Sequence, residues 1–333
     1  VVAPHSFAVK QNDSALSDSG AASPEIRSLP HVTILMCTYN GERFLAQQLD
    51  SIARQTYPNW NVLISDDGST DMTLEILSQY AESWGGEKLT VYEGPKKGFA
   101  ANFMSLTCRA QSSHYYAWAD QDDVWHDNKL ETALSALQRE SSDIPLLYST
   151  RTELIDESGT IIGLSPVFSR PTSFANALVQ SIGGGNTMVF NSATHALFRL
   201  GGAQLDIVAH DWWAYLVVTG AGGKVFHDMS PSISYRQHEA NIIGSNSDMR
   251  ARLVRLRMTF SGRFRSWNSR NIAALDSIHS SLSLDSKLTL EYFKKARRSR
   301  GLNRFLGLWR AGVYRQTHWG NLGLILAAVF NKI

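Results

Sequence analysis

Two runs of aspartate each follow an apolar stretch of strand length: NVLISDDGSTD (61–71) and YYAWADQDDVW (115–125). Open α/β sheets bind ligands beyond the carboxyl ends of their strands. Asp66 and Asp67 from one run, with Asp120, Asp122 and Asp123 from the other, are therefore expected to share one crevice. Carboxylates gathered so closely repel one another unless something cationic holds them together. A hard divalent ion, Mg²⁺ or Mn²⁺, bridging to a diphosphate is the simplest such partner. Each run also has a plainer reading: Asp-Gly-Ser commonly turns a strand into a helix, and a string of acids can be a solvated loop. The pairing of the two runs argues for chemistry.

The elements that must position these acids are legible from periodicity. Residues 31–39 (HVTILMCTY) read as a buried strand ended by the Asn40-Gly41 turn, and 42–55 as an amphipathic helix. A second strand covers 61–65, and a helix capped by Ser69 or Thr70 follows it. Then come a strand over 88–94, a helix opening at Gly98 and a strand ending at Ala119. This alternation predicts an α/β fold, with a mostly parallel twisted sheet flanked by helices. Further on, 146–156, 186–190 and 224–235 read as strands, Gly183 to Gly185 as a turn, and a helix starts near Asp211.

At 333 residues, 43% apolar and 19% charged, the chain has room for one large domain with an appendage and is too apolar for wholesale disorder. The net charge of +2 hides a division. Residues 1–248 carry 15 Lys+Arg against 27 Asp+Glu, whereas 249–333 carry 17 against 3. A basic tail on an acidic body either meets an anionic surface or folds back on the body. The expected organisation is a disordered leader over 1–30, a ligand-binding domain over 31–248 and a basic, mainly helical region over 249–333.

Arg250, Arg252, Arg255, Arg257, Arg263 and Arg265 interleave with Leu253, Val254, Leu256, Phe260 and Phe264, and the basic run 294–304 precedes Phe305, Leu306, Leu308 and Trp309. Basic amphipathic helices with aromatic anchors lie well on anionic lipid, so peripheral membrane contact is expected. No nucleic-acid motif accompanies the charge, and no nucleic-acid partner is expected. The leader lacks the pattern of a secretory signal, and Leu322 to Phe330 is too short to span a bilayer. Cys37 and Cys108 sit in apolar contexts, as core residues of a reducing compartment do. The expected location is cytoplasmic, at the inner face of the cytoplasmic membrane.

Seven segments in order, CTYNGERFL (37–45), SDDGSTD (65–71), GFAANF (98–103), ADQDDVW (119–125), GNTMVFN (185–191), HDWW (210–213) and YRQH (235–238), resemble glycosyltransferase family 2. They span about two-thirds of the chain. DQDDVW, HDWW and YRQH look most like the bacterial rhamnosyltransferase branch, which uses dTDP-rhamnose. The resemblance implies a GT-A fold and inverting, metal-dependent transfer from a nucleotide-diphosphate sugar to a saccharide or lipid-linked saccharide.

Carried over, the resemblance sets Tyr39 against the nucleobase and Asp67 at a base edge with Asp66 beside it. Thr38, Asn40, Glu42 and Gln121 join them at the donor, and Asn102 reaches toward it. Asp122 matches the metal ligand of the family's DxD element, and Asp120 faces ribose or donor sugar. Asp211 matches the catalytic base. His238, as a second metal ligand, closes over the diphosphate with Arg236 and Gln237.

Chemically, these residues supply what such a transfer needs. Arg236 and Lys96 offer fixed positive charge to the departing diphosphate, and a carboxylate at Asp211 can take the acceptor's proton. Gly185 and Asn186 form an acceptor loop, and Trp212 and Trp213 line an acceptor groove. Asp211 also suits a helix N-cap with the two tryptophans as core. Two other functions remain open on the residues alone: nucleotidyl transfer, disfavoured because 36–44 holds a single glycine, and a non-enzymatic membrane- or nucleic-acid-binding adaptor. A Rossmann dehydrogenase is disfavoured because no GxGxxG follows the first strand.

Overall fold

The computed structural model describes residues 29–238 and 262–333. Residues 1–28 of the expected leader (1–30) and the residues from Arg250 to Phe260 lie outside the described residues. The chain begins with β1 (Val32–Thr38), α1 (Leu45–Ala53), β2 (Trp60–Asp66), α2 (Thr73–Trp84), β3 (Leu89–Glu93), α3 (Phe99–Arg109) and β4 (Tyr115–Ala119). Next come β5 (Val124–Trp125), α4 (Lys129–Leu137), β6 (Leu146–Thr150), β7 (Glu153–Ile155), β8 (Ile161–Leu164), α5 (Phe174–Ala177) and β9 (Val189–Asn191). The remainder is α6 (Ser192–Gly201), α7 (His210–Gly220), β10 (Lys224–Asp228), β11 (Ile233–Arg236), α8 (Arg263–Ser277), α9 (Leu284–Arg298), α10 (Gly301–Arg310) and α11 (His318–Val329).

Seven strands form one sheet in the order β10-β6-β9-β4-β1-β2-β3. All its pairings are parallel except those of β9, which runs antiparallel to both β4 and β6. The strands at its centre are buried on both faces, which explains the unbroken apolar runs in β1 and β4. From β1 the chain winds outward through β2 and β3, then returns to place β4 on the other side of β1. That reversal is the point where an open α/β sheet gapes at its carboxyl edge. In register, Thr38 pairs with Asp66 and Met36 with Ala119, so both acidic runs leave the sheet at this edge.

Three expectations need correction. The apolar run 146–156 is two strands: β6 joins the large sheet, whereas β7 joins a small four-stranded sheet ordered β5-β11-β7-β8. The piece 224–235 divides in the same way into β10 and β11, because each run crosses from one sheet to the other. Ser69 and Thr70 do not cap α2. The Ser69 hydroxyl is spent on Asp66, and the Glu42 carboxylate accepts from the Met72 N–H at 2.9 Å while Asp71 accepts from the Thr73 N–H.

One continuous apolar cluster joins Leu35 and Trp118 of the sheet to Trp213 and Leu216 of α7, and then to Leu275, Leu290, Phe293 and Leu308 of the C-terminal helices. The basic region after residue 262 is thus packed onto the body. No helix among the described residues is long and apolar enough to cross a membrane.

Asn191 ties several elements together. Its buried amide oxygen caps α6 through the Thr194 N–H and accepts from the Leu146 N–H, while its nitrogen donates to the Ser142 and Ile144 carbonyls. Asn191→Ala leaves these groups unpaired in the core. It is expected to destabilise the protein by about 3 kcal/mol, read as a lower urea midpoint at unchanged m-value.

Candidate active site

The turn after β1 is locked to the turn after β2. Asn40 adopts a left-handed backbone (φ 48°), which Asn tolerates better than other non-glycine residues. Its N–H donates to Ser69 Oγ at 2.8 Å, and its side-chain oxygen accepts from the Thr70 N–H at 2.8 Å. Across the sheet's reversal point, the Gln121 side chain meets the backbone of Tyr39. The Tyr39 N–H donates to Gln121 Oε1 at 2.8 Å, and Gln121 Nε2 donates to the Tyr39 carbonyl at 3.0 Å. The amide imitates one more rung of the β1–β4 ladder and stands where a side chain at Gly41 would clash with it. The Tyr39 ring is left 58% exposed over the opening.

The acids at this edge fall into two groups. Asp66 is buried and accepts from Thr38 Oγ1 (2.8 Å), Ser69 Oγ (2.6 Å) and the Gly68 and Ser69 N–H groups. Asp67 accepts from the N–H groups of Lys96 (2.6 Å) and Gly98 (2.9 Å), so its carboxylate shapes the entry to α3. Asp123 is fully buried, accepting from Asn186 Nδ2 at 2.5 Å and from the Arg236 N–H at 3.2 Å. Burial and the nearby Asp122 and Asp120 charges raise its carboxyl far above the usual range. Asn186 in turn accepts through its carbonyl from Lys129 Nζ at 3.0 Å, and burial pulls that lysine down to about 7.

Asp120, Asp122 and Asp211 form the second group. Asp120 makes no side-chain hydrogen bond among the described residues. Its carboxyl is pushed up to about 7 by burial first, then by the charges of Asp122 and Asp211. Asp211, in the first turn of α7, accepts from the Trp212 N–H at 2.7 Å, and burial lifts its carboxyl to about 6. Asp122 Oδ2 lies 2.8 Å from His238 Nε2. The small sheet brings this pair together: β5 directly follows Asp122-Asp123, β11 ends two residues before His238, and the two strands pair with Ser234 opposite Val124.

Among the described residues no three His, Cys, Asp or Glu side chains are grouped to hold a metal ion. A site with one carboxylate and one imidazole nonetheless suits a divalent cation that takes its other ligands from water and substrate phosphate. The repulsion that Asp120 experiences from Asp122 and Asp211 is what such a cation would relieve.

Several expected contacts are corrected by the packing. Trp213 is fully buried, and Trp212 is buried with its ring N–H donating to the Ala177 carbonyl at 2.6 Å, so neither ring lines a groove. Asn186 faces Asp123 in the interior and cannot present its amide to an acceptor. Asn102 is buried and exchanges hydrogen bonds with Ser65, at 2.5 Å to its hydroxyl and 2.9 Å to its carbonyl. Arg236 is 2% exposed: its guanidinium donates to the carbonyls of Asp122, Asp156 and Glu157 and to Gln47 Oε1, and it lies over the Phe44 ring. It braces the Asp122 backbone and is not a free phosphate ligand. Thr38 and Glu42 likewise serve internal bonds. The Gln237 N–H donates to the Ile155 carbonyl at 2.8 Å, which ties the chain after β11 to the end of β7. Lys96 runs its stem along Gly68 of the acidic turn and pairs its exposed ammonium with Glu93 at 2.8 Å.

Sequence reasoning missed His210. Its ring is buried, stacks on Phe103 with centroids 4.0 Å apart, and leaves both nitrogens without a partner among the described residues. Burial holds it neutral, down to about 3. Gly185 packs flat against it, since a Cβ there would overlap His210 Nε2. The pair sets the depth of the α7 N-terminus and hence of Asp211. The motif HDWW contained the residue, but nothing in a sequence distinguishes a ring that positions its neighbour from a ring that binds.

The profile for glycosyl transferase family 2 matches residues 33–159. The chain is 30% identical over 236 residues to dTDP-rhamnosyl transferase RfbG of Shigella flexneri, an alignment covering 66% of this chain and 78% of that protein. This chain belongs to glycosyltransferase family 2. It is also 31% identical over 130 residues to the Escherichia coli UDP-Glc:alpha-D-GlcNAc-diphosphoundecaprenol beta-1,3-glucosyltransferase WfgD, covering 39% of this chain and about half (49%) of that relative. Among solved structures, S. aureus TarS 1–349 superposes with a TM-score of 0.51 at 14% identity, covering 84% of this chain and 89% of that one. The fold is that of the GT-A glycosyltransferases, and the chain is a glycosyl-transfer enzyme.

Gly185→Ala is expected to push His210 and α7 outward, costing about 1–3 kcal/mol and lowering transfer activity by about tenfold through the displaced Asp211. Truncating the ring in Gly185→Ala/His210→Ala removes the overlap. A double-mutant cycle in urea should therefore show the pair less destabilised than the sum of its parts.

Proposed function

We propose that this transferase moves a sugar, with inversion, from a nucleoside-diphosphate donor to a hydroxyl of a saccharide or lipid-linked saccharide in the synthesis of a bacterial surface polysaccharide, with dTDP-rhamnose as the donor. The observation that carries the reading is that Asp122 and Asp211 both lie close enough to Asp120, at the carboxyl edge of the sheet, for their charges to raise its carboxyl. The name of the Shigella relative supports the donor, and that of the Escherichia coli relative supports an acceptor held on a lipid diphosphate.

In this reading the exposed Tyr39 ring stacks on the nucleobase, Asp67 borders the base edge and Asp120 faces ribose or the donor sugar. Asp122 and His238 would hold Mg²⁺ or Mn²⁺. When bound, the ion neutralises charge developing on the departing diphosphate. Asp211 takes the proton from the acceptor hydroxyl as that oxygen attacks the anomeric carbon and the bond to the diphosphate breaks on the opposite face. With its carboxyl near 6, Asp211 is ionised at neutral pH yet keeps more proton affinity than a solvated aspartate. A base set back from solvent also keeps water from competing for the same position. The protein works at the inner face of the cytoplasmic membrane, with the domain up to residue 248 binding the donor and the basic region after it meeting anionic lipid.

Asp211→Asn is expected to lower kcat by about 10²- to 10⁴-fold while donor affinity, measured by calorimetry, stays within about threefold of the parent. An unchanged kcat would reduce Asp211 to a helix-end residue. Since only the ionised carboxylate accepts a proton, kcat should fall about tenfold per pH unit below about 6 and level off above it.

Donor identity is tested by thermal shift. With Mn²⁺ present, dTDP-rhamnose should raise the melting temperature more than UDP- or GDP-sugars do, and EDTA should remove both this shift and transfer. Transfer at full rate in chelator would exclude the metal role of Asp122 and His238.

A further inference from the structure

On the C-terminal helices, α8, α9 and α10 border an open hollow of about 380 Å³ lined by Arg265, Lys294, Arg297, Arg298, Arg300 and Arg304. Among the described residues no carboxylate lines it. Lys294 has counter-charges in Asp276 (2.6 Å) and Glu291 (3.0 Å). The arginines are held by neutral groups instead. Arg297 donates to the Arg265 carbonyl and Ser269 Oγ, and Arg304 donates to the carbonyls of Ala328 and Ser299 and to Asn331 Oδ1. Arg304 is 4% exposed, and its Nε has no partner among the described residues. Arg298 and Arg300 make no hydrogen bond or ion pair among the described residues. Burial and the nearby Arg265 charge pull Arg297 down to about 10. Guanidinium groups packed around a hollow without counter-charge lack an anion, and their forked donors suit phosphate oxygens.

The surroundings indicate what carries the anion. On α10, which supplies Arg304, the side chains of Leu302, Phe305, Leu306 and Trp309 are all exposed, and their spacing places them on one helical face. Trp319, Leu322, Ile325 and Val329 make a second exposed stripe along α11, which ends two residues before the cavity residue Asn331. Apolar side chains this numerous are seldom left in water without a partner. An apolar face beside a basic hollow matches the boundary between acyl chains and phosphate headgroups.

We propose that this cavity binds the phosphate headgroup of an anionic lipid while the α10 and α11 stripes enter the acyl boundary. The inference deepens the membrane contact of the proposed function by assigning it to one site.

The test uses the full chain and vesicles of phosphatidylcholine with or without phosphatidic acid. Sedimentation should require phosphatidic acid. Arg298→Gln/Arg300→Gln, which removes two exposed and unpaired cations, should weaken partitioning about thirtyfold. Lys295→Gln/Arg310→Gln, which removes two cations outside the cavity, should change it less than about threefold. Equal losses in the two variants would reduce the effect to diffuse charge and overturn the site. So would equal binding to neutral vesicles.

Inorganic phosphate at constant ionic strength separates the sources of the anion. If it raises the melting temperature of the parent but not of Arg298→Gln/Arg300→Gln, and neither protein binds vesicles, the ligand is soluble phosphate and the lipid assignment fails. Circular dichroism checks that both variants are folded. No readout involves a sugar donor, so failure of the donor assignment leaves this test intact.

Discussion

Negative charge at the carboxyl edge of the sheet is the constraint on which the rest of the site depends. Asp66, Asp67 and Asp123 are acids turned into architecture: backbone N–H groups and neutral side chains absorb their lone pairs, and the loops are built around them. Asp120, Asp122 and Asp211 are left with few or no such partners, and the charges of Asp122 and Asp211 both bear on Asp120. The first set fixes where the second must sit. Hydrogen-bond donors fix the first set in place, although burial and the Asp122 and Asp120 charges still raise Asp123, whereas an acid left short of donors keeps free lone pairs and a demand for a cation.

Second-layer packing sharpens that division. The Gln121 amide spans the sheet's reversal point as if it were backbone, and Arg236 holds the Asp122 carbonyl at 3.1 Å from beneath. His210, neutral and without a hydrogen-bond partner among the described residues, acts as a spacer between Gly185 and the aromatic cluster of Phe103 and Trp118. Its two unsatisfied nitrogens carry a desolvation cost, consistent with selection for the position of α7 over stability.

Much of this was legible in the residues. The apolar runs of β1, β2 and β4 announced a parallel sheet because a strand covered on both faces shows no alternation, and the acids at their ends announced the edge. What escaped reading was direction. Trp212 and Trp213 follow Asp211 on the same helix, and their large apolar rings suit a sugar face as well as a core; only packing shows them turned inward. Asn102, Asn186 and Arg236 have the chemistry of ligand contacts, but the fold uses their hydrogen bonds to hold other residues. The division of 146–156 between two sheets was equally hidden, since both strands are apolar and only two residues separate them.

That division has a mechanical consequence. β6 and β7 are joined through Arg151 and Thr152, β10 and β11 by the four residues 229–232, and each pair straddles the two sheets. These links tie the small sheet to the large one at two points. Asp120, directly after β4 of the large sheet, and Asp122, just before β5 of the small one, are thereby held by a framework stitched at those two links as well as through residues 120–123 themselves.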